Sequence, residues 1–81
     1  MPHVIVKMYP GRSTEQKQAL ADEITRAVMS VAGSSEASVS VSIEDVAPDA
    51  WVETVYKPEI VEKPGILFKK PGYNPLRGDL P

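Results

Sequence analysis

Three residues of this 81-residue chain carry groups that could do chemistry on a small molecule: Pro2, Arg12 and Trp51. Pro2 stands directly behind Met1 and opens the run HVIVKM. Proline lacks a backbone N–H and is tolerated at a first strand position, so one reading makes it a plain strand starter. The other reading requires removal of Met1, which a small second residue permits, and leaves a secondary amine at the chain terminus. An α-amino group titrates at about pH 7.7–8.0 in model peptides and is the one backbone group able to act as a base near neutrality. A nearby cation or an apolar pocket lowers that value and keeps the amine neutral, and a strand holds it rigidly. Arg12 follows Gly11 just ahead of a helix start. Free N–H groups there attract anions, and a guanidinium adds a fork matched to a carboxylate; a solvated loop arginine is the plainer alternative. Trp51, the only tryptophan, is either a core or interface residue or the wall of a pocket.

Other chemistries find less support. His3 neighbours Pro2 on a strand, so its side chain points elsewhere. The serines of SVSVS have no histidine placed beside them by any motif, which leaves a hydrolytic triad without a basis. Lys69-Lys70 reads as a solvated pair. With no cysteine and one histidine, disulfides, thiolate chemistry and Cys- or His-rich metal centres are excluded. The carboxylates lack the loop spacing of a magnesium or calcium site, so no metal is expected. Nine basic against eleven acidic residues give a net charge of −2, which argues against a nucleic-acid surface. No apolar run approaches the ~20 residues of a membrane span, and no charged stretch leads into an apolar one as in a signal peptide. A soluble, cytoplasmic protein is expected.

These residues must be positioned by few elements. HVIVKM (His3–Met8) is rich in β-branched residues and predicts a strand with Val4, Val6 and Met8 on one face. Tyr9-Pro10-Gly11 supplies a turn. Ser13 to Ala32 predicts a helix: Ser13 and Gln16 make a capping box, Glu15 suits the first turn, and Leu20, Ile24, Ala27, Val28 and Val31 form an apolar stripe. Gly33 can take the left-handed conformation that ends it. After a polar linker, SVSVSIEDV alternates Val39, Val41 and Ile43 with polar residues, as a half-buried strand does. A right-handed crossover makes the two strands parallel. Pro48 to Tyr56 predicts a turn and short helix, and Pro58 a second short helix from its first position, ended by Pro64-Gly65. Residues 74–81 are expected to be frayed or held by a partner. The chain is expected to be one domain. Two strands and a helix leave both sheet edges open, so the sheet is expected to be completed by a second copy in a homo-oligomer.

Pro2 opening a strand, GRSTEQK (Gly11–Lys17) opening a helix, and SVSVSIEDV together resemble the tautomerase superfamily, nearest its 4-oxalocrotonate tautomerase branch. The likeness covers residues 2 to about 51. YKPEIVEKPGILFKKPGY (Tyr56–Tyr73) resembles the longer tail of a dimeric subgroup, in contrast to the hexamers of the shorter enzymes. The resemblance implies a β-α-β protomer whose sheet joins a partner's. It also implies a cofactor-free site where the N-terminal proline amine moves a proton between an enol and its keto form. Pro2 would be that base and then the acid. Arg12 would bind a substrate carboxylate, often across a subunit boundary, and Trp51 would be an aromatic pocket wall. Family members acting on dicarboxylates carry a second arginine where this chain has Ser40, so the resemblance points to a monocarboxylate enol such as phenylenolpyruvate. Dehalogenation by water addition, or decarboxylation, would use the same proline. The former wants an extra carboxylate, for which Glu44 and Glu53 are the nearest candidates. A dimeric binding module without activity is the non-enzymatic alternative.

Overall fold

The computed structural model describes residues 1–79. They form two compact units, Met1–Val46 and a second that begins at Ala47.

The first unit is a β-α-β motif. Strand β1 (His3–Met8) and strand β2 (Ser40–Asp45) pair in parallel, with His3 opposite Ser40 and Met8 opposite Asp45 without a slip. The ladder runs one step further at each end: Ser40 N–H donates to the Pro2 carbonyl at 3.2 Å, and Val46 N–H donates to the Met8 carbonyl at 2.8 Å. Between the strands runs helix α1 (Thr14–Ala32). The expected capping box is present: Gln16 N–H donates to Ser13 Oγ at 3.1 Å and Ser13 N–H donates to Gln16 Oε1 at 2.8 Å. Each bond satisfies an N–H that the first turn would otherwise leave open. Ser13→Ala removes half of the box and is expected to cost about 1 kcal/mol, read as a lower midpoint in urea with an unchanged slope. At the other end Gly33 takes φ 71°, the left-handed cap that a residue with a Cβ adopts at a cost. A single 3₁₀ turn, Glu36–Ser38, then leads into β2.

Alternation along the strands sets the faces. Val4, Val6, Val41 and Ile43 point one way and Leu20, Ile24 and Val28 line the helix stripe, yet all are only half-buried. Among the described residues none of this unit is fully buried. On the opposite face Ile5 stays 59% exposed, beside Lys7, which lies 4.0 Å from Glu44. Lys17 Nζ reaches Asp45 Oδ2 at 2.8 Å and ties the first turn of α1 to the end of β2. Such a partly exposed pair fixes geometry more than it adds stability. A two-stranded sheet of this size is marginal alone, because too little apolar surface leaves water.

The second unit has a different core. A 3₁₀ turn (Pro48–Ala50) leads through Trp51 into a π-helix, Val52–Val61. The sequence predicts two short helices, the second opening at Pro58. The structure instead runs one helix through Pro58. In an α-helix that proline would lose a bond and press its ring on the carbonyl four residues back. The wide register, seen where Glu62 N–H donates to the Lys57 carbonyl at 3.1 Å, shifts that carbonyl away. Val55 and Tyr56 on this helix, 5% and 7% exposed, are the buried residues among those described. Further 3₁₀ turns follow at Pro64–Ile66 and Pro75–Arg77. The chain end expected to be frayed or partner-held spans 74–81. Within it Asn74 and Asp79 close a turn by exchanging backbone and carboxylate bonds at 3.1 Å each. Leu80 and Pro81 lie outside the described residues. No helix among the described residues is long and apolar enough to cross a membrane.

Candidate functional site

Pro2 heads β1 and is half-buried. Its carbonyl is held by Ser40 N–H, so the residue is pinned at the start of the parallel ladder. Ahead of it Met1 stands 103% exposed, open to an aminopeptidase. With Met1 in place the Pro2 nitrogen is a tertiary amide and no base; its removal leaves a secondary amine fixed at the head of a strand.

Arg12 lies beyond the other end of β1, in the turn between Gly11 and the Ser13 cap. Gly11 has φ 129°, a conformation that few side chains tolerate, and it swings the chain from strand to helix. Six of the nine lysines and arginines hold a carboxylate. Arg26 is one of them, and the hydrogen bond it donates to Glu23 raises its pKa. Arg12, Lys69 and Lys70 hold no carboxylate among the described residues, and Arg12 is the only one of these in the first unit. An exposed guanidinium with no internal partner keeps its fork for an anion.

The structure does not bring Pro2 and Arg12 of one chain together. From Pro2 to Met8 a strand at ~3.3 Å per residue spans about 20 Å, and Arg12 lies past its far end. Two hollows of the first unit run along α1, and neither is lined by Pro2 or Arg12. Trp51 belongs to the second unit. Its indole N–H donates to Tyr73 Oη at 2.9 Å, and the Tyr73 ring lies 5.8 Å from the ring of buried Tyr56 at 42°.

Parallel pairing also places what the sequence does not link. His3 Nδ1 and Ser40 Oγ share a 2.7 Å hydrogen bond. The sequence offers no histidine for the SVSVS serines; the β1–β2 register supplies one, and only a correct register could have revealed it. Among the described residues no carboxylate orients His3, and both residues are exposed, so the pair lacks the third member of a triad. Ser40 therefore carries a neutral hydroxyl bonded to His3, and it is its backbone N–H that meets Pro2. Glu44 and Glu53, the candidates for positioning a water, are engaged by Lys7 at 4.0 Å and Lys57 at 2.8 Å. Tyr73 is the residue near a candidate group that sequence reasoning missed; a lone tyrosine in a Pro/Gly-rich segment carries no pattern to flag it.

Comparison with known proteins relates the chain to a family. The model of a family described as tautomerase enzymes matches residues 2–55. A probable tautomerase of Xylella fastidiosa (strain 9a5c) is 45% identical over 76 residues, spanning 94% of this chain and 93% of that protein. A protein named tautomerase PptA from Cronobacter sakazakii (strain ATCC BAA-894) is 43% identical over 74 residues, spanning 90% and 97%. Among solved structures, YwhB, a homologue of 4-oxalocrotonate tautomerase, superposes with a TM-score of 0.58 at 44% identity, over 59% of this chain and 79% of that one.

Proposed function

The chain belongs to the tautomerase enzyme family, and from that premise we propose that it ketonises a small enol monocarboxylate with Pro2 as base and acid. The observation that carries this reading is the pinning of Pro2 at the head of β1, one cleavage away from a free amine. The amine nitrogen takes the proton of the enol hydroxyl. The O–H electron pair becomes the carbonyl π bond, and the C=C pair moves to the distal carbon. That carbon takes the proton back from the prolinium, so amine and proton count are restored.

Arg12 grips the substrate carboxylate and stabilises the negative charge that builds on the enolate. Because it lies at the far end of its own β1, the Arg12 that serves a given Pro2 comes from a second copy of the chain. The same copy covers the open sheet edges and the half-buried apolar face; a homodimer is the assembly we propose. Trp51 is the aromatic wall for the substrate in this reading.

Ser40 sets the substrate class. A hydroxyl bonded to His3 offers no cation to a second carboxylate, so a monocarboxylate such as phenylenolpyruvate is preferred over a dicarboxylate dienol. In ultraviolet assays of protein shown by intact mass to lack Met1, kcat/KM for phenylenolpyruvate is expected to exceed that for the dicarboxylate. Ser40→Arg is expected to move the ratio about tenfold toward the dicarboxylate, the scale of one charge-assisted hydrogen bond. A native preference for the dicarboxylate would refute the assignment.

A further inference from the structure

We propose that Tyr73 is a positioning residue: it sets the angle of the Trp51 ring, and through it the affinity for an aromatic enol carboxylate. The proposal rests on the reading of Trp51 as the pocket wall. Tyr73 lies beyond the residues the family model matches, which end at Val55.

The geometry points to it in three steps. Trp51 directly precedes the π-helix and Tyr56 lies within it, five residues on. At the 100° per residue of an α-helix, side chains five apart diverge by about 140°. The i→i+5 register brings such residues toward one face. Tyr73 then touches both: its oxygen accepts the indole N–H at 2.9 Å, and its ring lies against Tyr56. Tyr56 is buried, so packing holds its ring. The hydroxyl of Tyr73 is thus carried on a ring anchored in the core of this unit. It holds the indole at its one polar atom. A wall acts on substrate through its ring face, so committing the N–H to Tyr73 leaves that function intact.

The test compares native protein, Tyr73→Phe, Trp51→Phe and the double variant, all lacking Met1. Two quantities are read: KM and kcat for phenylenolpyruvate, and the calorimetric Kd of phenylpyruvate, a probe that needs no turnover. Tyr73→Phe keeps the ring on Tyr56 and deletes only the acceptor. It is expected to raise KM and Kd roughly three- to tenfold, with kcat held within about twofold. Trp51→Phe removes the same bond from the other side, and in that background Tyr73→Phe adds nothing. An unchanged Kd in Tyr73→Phe, or an equal rise in the Trp51→Phe background, overturns the proposal and leaves Tyr73 a structural residue. Native protein that does not bind phenylpyruvate, or Trp51→Ala that binds it as well as native, overturns the wall and its positioning together. Failure of the Pro2 assignment is seen separately, as equal rates in native protein and Pro2→Ala, with the Kd differences standing.

Discussion

Pro2→Ala loses most of the ketonisation rate, and a chain carrying an extension ahead of Pro2 loses the whole contribution of the base, about 10²–10⁴-fold in kcat. The two variants separate two properties of the residue. Alanine at position 2 also permits methionine removal and leaves a primary amine, so some base survives, on a chain end no longer stiffened by a ring. An extension keeps the ring and turns its nitrogen into an amide, which has no basic lone pair. In both, the Ser40 N–H still has the same carbonyl to bind, so circular dichroism stays as in the native protein. The pH profile carries the sign. A free amine is a base only when deprotonated, so kcat/KM rises with pH until the proline has lost its proton. The extended chain shows no such rise. Equal rates in all three proteins at every pH would return Pro2 to the role of strand starter.

Mixing two impaired variants restores activity. Pro2→Ala keeps Arg12, and Arg12→Ala keeps Pro2. If each site takes its proline from one chain and its arginine from the other, a mixed dimer has one site with both groups intact and one with neither. Random reassortment makes half the dimers mixed, so the mixture recovers about a quarter of native activity, as an isologous dimer requires. Arg12→Ala alone is expected to raise KM and to lower kcat/KM by one to two orders of magnitude, since it removes a charge-assisted fork. An arginine serving its own Pro2 gives a different result: every site in a mixed dimer then lacks one group, and mixing recovers nothing. The prediction follows from strand length alone, because the six steps from Pro2 to Met8 separate the two groups by more than a small substrate spans.

The β-α-β unit is legible in the sequence because each of its signals is local. The Ser13–Gln16 box, Gly33 and the alternation in SVSIED act within a few residues, and the structure places each where periodicity and capping chemistry put it. Family membership was legible for the same reason: Pro2, GRSTEQK and SVSVSIEDV are short runs at characteristic spacing. The π-helix was not legible. Pro58 reads as a helix start under α-helical rules, and only the wider register lets it sit inside one. Nor were the His3–Ser40 and Trp51–Tyr73 bonds, which join residues 37 and 22 positions apart. Side-chain contacts over such separations depend on how elements are paired, and a single sequence carries no local trace of them.

The first unit buries no residue fully, and its stripe of Leu20, Ile24 and Val28 stays half open to water. For a homodimer this makes dilution a functional variable. A chain whose apolar surface is finished by its twin gains stability by mass action, so its melting temperature rises with protein concentration. If the twin also lends Arg12, catalysis follows the same law: turnover per chain is constant at high concentration and falls once dilution drops below the dissociation constant. Activity measured across a dilution series would then read out assembly directly, and the concentration at which it halves would report how tightly two copies hold each other.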